Sequence, residues 1–385
     1  MKQICLRCSR TAVNRNLFCP ELDCPAERAP FVLEKGDWLE DFEILHPVAL
    51  LRTCALYRAR RGSQVHLLKL AHPGVANGER LVREAEFLHD LDSDLPGRHL
   101  LPQLSPPYTR AVKAAKPYGS AALGEYLLHY EVLAFRDGIP LQQLLQQRSP
   151  LWIQDAGYIA LQLADALQLL HQEGRLHLAL TPDSILVRFD KGNVPRVFLW
   201  DLGLLLPGDG TYVRSQSGAL SDPVSPAYLA PELLGERCKP RVTSDVYALG
   251  LIFFEMVVGR PMYAHELRTD EDVVRRVRLG TRSHMLQPAE IDGLPETLMQ
   301  ATEPLAEKRF SSVGGLRSRL LQLLGNDVPP EQQGTRLGQW LDSPQTRMWL
   351  VAAAIIGLLV WLAVWMRETN TTFTLQELLE VFAFS

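Results

Sequence analysis

His177-Leu178-Ala179-Leu180-Thr181-Pro182-Asp183-Ser184-Ile185-Leu186-Val187 is the stretch around which the rest of this chain falls into order. A histidine opens it, a proline turns it and an apolar run ends it. Upstream, Val65-His66-Leu67-Leu68-Lys69 is a strand that ends on a lysine, and Arg83-Glu84-Ala85-Glu86-Phe87-Leu88 reads as helix, with Glu84 and Glu86 on different faces. Downstream, Asp201-Leu202-Gly203 follows the apolar strand Val197–Trp200. Ala230-Pro231-Glu232, Ser244-Asp245-Val246-Tyr247-Ala248-Leu249-Gly250 and Lys308-Arg309-Phe310 come after it. Each stretch alone is weak. All of them in one order, at sensible spacings, are not a chance pattern.

Together they resemble the signature set of the protein kinases, over residues 37–324. The resemblance implies a two-lobed α+β fold. It implies Lys69 as the phosphate-pairing lysine, Glu84 as its helix partner, and Asp201 as a magnesium ligand. Leu133 and Ser184 fall in the nucleotide cleft, with Ser184 where the family has its metal-binding Asn. Leu88, His177 and Leu202 fall at positions that stack into a spine between the lobes. Asp245 would fix the loop backbone from below, and Glu232 would pair with Arg309.

The departures lie in the chemistry. Phosphoryl transfer needs a phosphate cradle, a metal site and a proton acceptor. Ala179 stands where the family has its catalytic-base Asp, so no catalytic residue is assigned. Leu178 removes the arginine that would clamp a phosphorylated segment. The stretch Leu45–Ala55, where the family has a Gly-rich loop, contains no glycine, and Pro47 lacks an amide donor. Leu67 replaces the family's Ala and points three extra carbons at the purine; with Leu186 it could fill that slot. Asp183 or Asp201 is the candidate substitute for the missing base. Lys69 and Glu84 have two readings, a structural ion pair that locks the helix and a weak nucleotide site.

Residues 1–30 carry Cys5, Cys8, Cys19 and Cys24 at zinc-ribbon spacing, and four thiolates close a tetrahedral structural zinc shell. So short a segment builds little core, which makes a metal staple sensible. Disulfides are the alternative and need an oxidising compartment. No signal-peptide pattern precedes the cysteines, so a reduced, cytoplasmic setting is expected. Cys54 and Cys238 read as ordinary thiols.

Residues 325–347 read as a linker, interrupted by Pro329-Pro330, Gly334 and Gly338. Met348–Met366 contains no charged residue and is bracketed by Arg347 and Arg367. As a helix it spans about 29 Å, enough for one transmembrane pass, with Trp349 and Trp365 as interfacial anchors. Ala352, Ala353, Ala354 and Gly357 would permit a homodimer through this helix. In the tail, 367–385, Thr374 to Glu377 reads as a capping box before a short amphipathic helix. The chain's 385 residues carry a formal charge of −4, so nucleic acid is not an expected partner.

The expected protein is a pseudokinase anchored in the plasma (inner) membrane, with ribbon and kinase-like domain cytoplasmic and the tail outside. It would signal or scaffold through protein contacts. The alternatives are an active Ser/Thr kinase with an atypical base and an ATP-sensing switch without turnover. Zinc is the expected cofactor; ATP with magnesium belongs to the alternatives.

Overall fold

The computed structural model describes residues 2–4, 11–12 and 31–324, apart from 110–115, 125, 149, 209–211, 214–223, 236, 266–267 and 283–290. The four ribbon cysteines, the linker, the apolar segment 348–366 and the tail lie outside the described residues. Among those described, no helix is long and apolar enough to cross a membrane, and no three His, Cys, Asp or Glu side chains are grouped to hold a metal.

At the amino end β1 (Lys2–Ile4) pairs with both β2 (Thr11–Ala12) and β3 (Phe31–Val32), antiparallel. The small lobe follows as β4 (Trp38–Leu39), β5 (Phe42–Leu50), β6 (Cys54–Arg61), β7 (Gln64–Ala71), α1 (Val75–Asp90), β8 (Gly119–Leu123) and β9 (Tyr126–Ala134). Its six-stranded sheet has the order β4-β5-β6-β7-β9-β8. β7 is central, and Leu67 to Ala71 are buried without alternation, as expected of a strand covered on both faces. The register sets Lys69 beside Leu56 on one neighbour and Glu131 on the other. β5 carries two register shifts, at Ile44/His46 and Pro47/Ala49. A proline cannot donate to the ladder, so the strand is irregular there.

α1 buries Arg80, Leu81, Glu84, Ala85 and Leu88, one helical stripe. Glu86 is exposed, as the helical spacing requires.

The large lobe holds β10 (Ile139–Pro140), α2 (Leu141–Gln147), α3 (Ile153–Gln172), β11 (Arg175–Leu176), β12 (Ile185–Phe189), β13 (Pro195–Leu199), β14 (Leu206–Pro207), β15 (Tyr212–Val213) and β16 (Arg237–Cys238). After these come α4 (Val242–Val258), α5 (Asp270–Arg278), α6 (Leu294–Ala301) and α7 (Val313–Leu324). α4 is buried continuously from Ser244 to Met256, the signature of a central core helix. It ends at Gly259 in the left-handed conformation. The His177–Val187 stretch runs from β11 through a short 3-10 turn, Pro182–Ser184, into β12, which pairs with β13.

Candidate functional site

The site is built where β7, α1 and the end of β13 meet. Lys69 Nζ donates to Glu84 Oε2 at 2.6 Å and to Asp201 Oδ1 at 2.7 Å, with all three side chains buried. The Lys69–Glu84 pair is thus present, and Asp201, expected as a magnesium ligand, joins it as a third member. Arg80, one turn before Glu84, wraps Asp201 from the other side. Its Nη2 donates to Asp201 Oδ2 at 2.6 Å, its Nη1 to Thr53 Oγ1 at 2.7 Å and its Nε to the Gly203 carbonyl at 2.6 Å. Both carboxylate oxygens of Asp201 therefore carry a side-chain cation. Burial alone would raise the Asp201 carboxyl, but Arg80 and Lys69 outweigh it and hold it well below the usual carboxylate range. Burial works against the charge of Lys69 as well, and Asp201 and Glu84 keep it ionised.

Three oxygens, from a carboxylate, a hydroxyl and a carbonyl, thus surround a guanidinium. Magnesium prefers near-octahedral oxygen coordination with carboxylates and phosphates. Here Asp201 is already doubly paired. Ser184 does not complete a metal site either: its hydroxyl donates to the Thr181 carbonyl at 2.7 Å and accepts from Thr181 N at 3.2 Å, capping its own turn. This arrangement of donors does not fit a divalent ion. The cavity beside it, bounded by Thr53, Cys54, Lys69, Asn77, Arg80 and Asp201, has a volume of about 10 Å³. That is room for roughly one water, against about 300–1,000 Å³ for ordinary ligand sites. A larger open concavity of about 740 Å³ lies on another face of α1, against β9, and contains none of these residues.

Leu67, Leu133 and Leu186 are all buried, and the register sets Leu67 beside Leu133. At the mouth of the cleft, the turn between β5 and β6 reaches over to the large lobe. Arg52 donates to both oxygens of Asp270, at 2.6 and 3.0 Å, and to the Val224 carbonyl at 3.4 Å. The stretch in the place of a phosphate cradle is therefore fastened to the first turn of α5.

The loop itself is held from beneath. Asp245 Oδ2 accepts from His177 N at 2.9 Å and Oδ1 from Leu178 N at 2.7 Å, while His171 Nε2 lies 2.8 Å from Oδ2. Leu178 sits at φ 59°, a left-handed backbone that costs a non-glycine residue about 1–3 kcal/mol, and the Asp245 bonds hold it there. Gly203 has φ +72°, and a Cβ on it would lie 2.2 Å from the His177 carbonyl, so only glycine fits. Leu88, His177 and Leu202 are all buried, and His177 Nε2 lies 2.9 Å from the Asp201 carbonyl. Burial pushes the Asp183 carboxyl up to about 6. Glu232 pairs in two-point fashion with Arg309, at 2.8 Å on each oxygen, and accepts from Ser244 Oγ.

Residues 124–312 match the protein kinase domain family. With the two-lobed architecture and the Lys69–Glu84–Asp201 grouping, this match over just under half of the chain supports a protein kinase-like domain. Similar curated proteins include three bacterial kinases. It is 29% identical to serine/threonine-protein kinase Pkn1 of Myxococcus xanthus over 54% of this chain and 29% of that protein. It is 31% identical to serine/threonine-protein kinase PkaA of Streptomyces coelicolor over 34% of this chain and 23% of that protein. To serine/threonine-protein kinase PknB of Mycobacterium tuberculosis the identity is 25%, over 57% of this chain and 34% of that protein. The chain thus spans about a third or less of the length of these relatives.

Proposed function

We propose that the chain is a membrane-anchored pseudokinase that signals or scaffolds through protein–protein contacts. The observation that carries this reading is the closed carboxylate of Asp201, paired on one oxygen with Lys69 and on the other with Arg80. A kinase uses that carboxylate to hold the metal that neutralises the phosphates. Here the charge is already neutralised from within, and Ala179 offers no proton acceptor. In this reading the ribbon cysteines Cys5, Cys8, Cys19 and Cys24 hold a structural zinc on the cytoplasmic side. Residues 348–366 anchor the chain in the inner membrane, with the tail outside.

Active Ser/Thr transfer is the second reading. It is favoured by the Lys69–Glu84 pair, the buried spine residues and relatives that are named serine/threonine-protein kinases. An ATP-sensing switch would need the same cleft to open. The test is thermal unfolding of the full chain with and without ATP and magnesium, alongside a phosphate-transfer assay with Asp201→Asn as control. A ligand at 100 times its dissociation constant stabilises by about 2.7 kcal/mol. No shift and no transfer is the expected result. Transfer that Asp201→Asn abolishes overturns the pseudokinase reading, and a shift without transfer favours the switch.

A further inference from the structure

Glu131 lies on β9, directly across the strand pair from Lys69. It is completely buried, and among the described residues neither of its carboxyl oxygens has a hydrogen-bond partner. A buried carboxyl without partners is costly to ionise, so it keeps its proton. Its surroundings do not decide otherwise. Lys69 faces it from β7, Arg80 and Glu84 from α1, and Asp201 from the end of β13, while β8 contributes no charged side chain. Two cations thus face three carboxyls, and Lys69 and Arg80 are already engaged by Glu84 and Asp201. The grip of Glu84 on Lys69 is also partial. It uses Oε2 alone, and Oε1 has no partner.

We propose that Glu131 is a second seat for Lys69, making the position of α1 proton-linked. With Glu131 protonated, Lys69 binds Glu84 and Asp201 and ties α1 to the sheet. When the Glu131 O–H bond breaks and its proton passes to solvent, Lys69 keeps its own charge and swings across to the new carboxylate. Glu84 is then released from its cation, and α1 keeps the polar contacts of Arg80 to Asp201, Thr53 and Gly203 and of Arg83 to the Leu204 carbonyl. Burial and the neighbouring Glu84 both push the Glu131 carboxyl well above its ordinary value, which agrees with a proton held in the closed state. The inference does not depend on whether the domain transfers phosphate.

The test is native-state hydrogen exchange of the full chain between about pH 5.5 and 8.5, with intrinsic rates divided out, comparing α1 amides with α4 amides. An opening that releases one proton becomes about tenfold more populated per pH unit, until the closed state itself titrates. The α1 amides are expected to show this slope in the wild type and to lose it in Glu131→Gln. An α1 slope that is absent, or that only matches the slope of α4, overturns the proposal: in the second case Glu131 titrates only on global unfolding. Infrared spectra of the unmodified chain with labelled glutamate keep the test open even if the variant misfolds. A protonated carboxyl signal at neutral pH is expected, and complete ionisation there overturns the proposal.

Discussion

Asp245 and Asp201 are two fully buried aspartates on either side of the His177–Val187 segment, and they are held by opposite kinds of partner. Asp245 accepts from two backbone amides and a histidine, all in the large lobe. Asp201 is gripped by two side-chain cations that arrive from the small lobe. The first arrangement fixes a loop, and it is complete without any ligand. The second takes the carboxylate that a nucleotide's metal would need and turns it into a tie between lobes. The scaffold contact thus needs nothing from the other lobe, while both cations on the cleft carboxylate come from it.

This contrast is open to direct attack. Asp245→Ala is expected to have the largest effect, about 3–5 kcal/mol of stability, because it strands two buried amides and frees the strained Leu178 backbone. Chemical denaturation reads it, and a loss below about 1 kcal/mol would mean that the loop is held elsewhere.

Acid should act on the small lobe through His72. Burial outweighs its contact with the Leu51 carbonyl and lowers its pKa to about 4, from 6.5. The unfolded chain therefore binds the extra proton first as pH falls through 6.5. Stability present above that pH is lost down to about pH 4, by up to roughly 3 kcal/mol. His72→Phe should flatten that part of the pH–stability curve; an unchanged curve would remove His72 from the account.

Arg80→Met should cost about 3 kcal/mol, the low end for a buried pair because Lys69 still engages Asp201, and leave one Asp201 oxygen without its cation. The variant is expected to gain a magnesium-dependent thermal shift that the wild type lacks. If the wild type shifts equally, Arg80 does not stand in for the metal. Arg52→Ala should cost only about 1 kcal/mol, since its pair with Asp270 is partly exposed. Its readout is faster proteolysis of the β5–β6 turn.

Much of the scaffold was legible in the sequence. Lys69 with Glu84, Glu232 with Arg309 and the Asp245 support follow from motif residues whose roles survive substitution around them. Arg80 was harder to see. Its spacing from Glu84 was plain, but an arginine and a glutamate one turn apart on a helix usually read as a surface pair. Only Asp201, 121 residues away, turns that spacing into a buried cluster. Glu131 stands in a stretch of β9, residues 130–133, that is buried without alternation, so a lone carboxylate in an apolar run was the available signal. Arg52 sits in a loop read for its missing glycines, so attention fell on an absence and not on the side chain that was there. Its partner lies 218 residues on.

Two of the ties across the cleft differ in their exposure to water. Arg52 and Asp270 are 22% and 27% exposed, whereas Arg80 and Asp201 are at 9% and 1%. Dissolved ions screen exposed charges over about 10 Å at 0.1 M and barely reach buried ones. Rising ionic strength therefore slackens this cleft at its rim while its floor stays locked, so the domain becomes more pliant toward salt without becoming open.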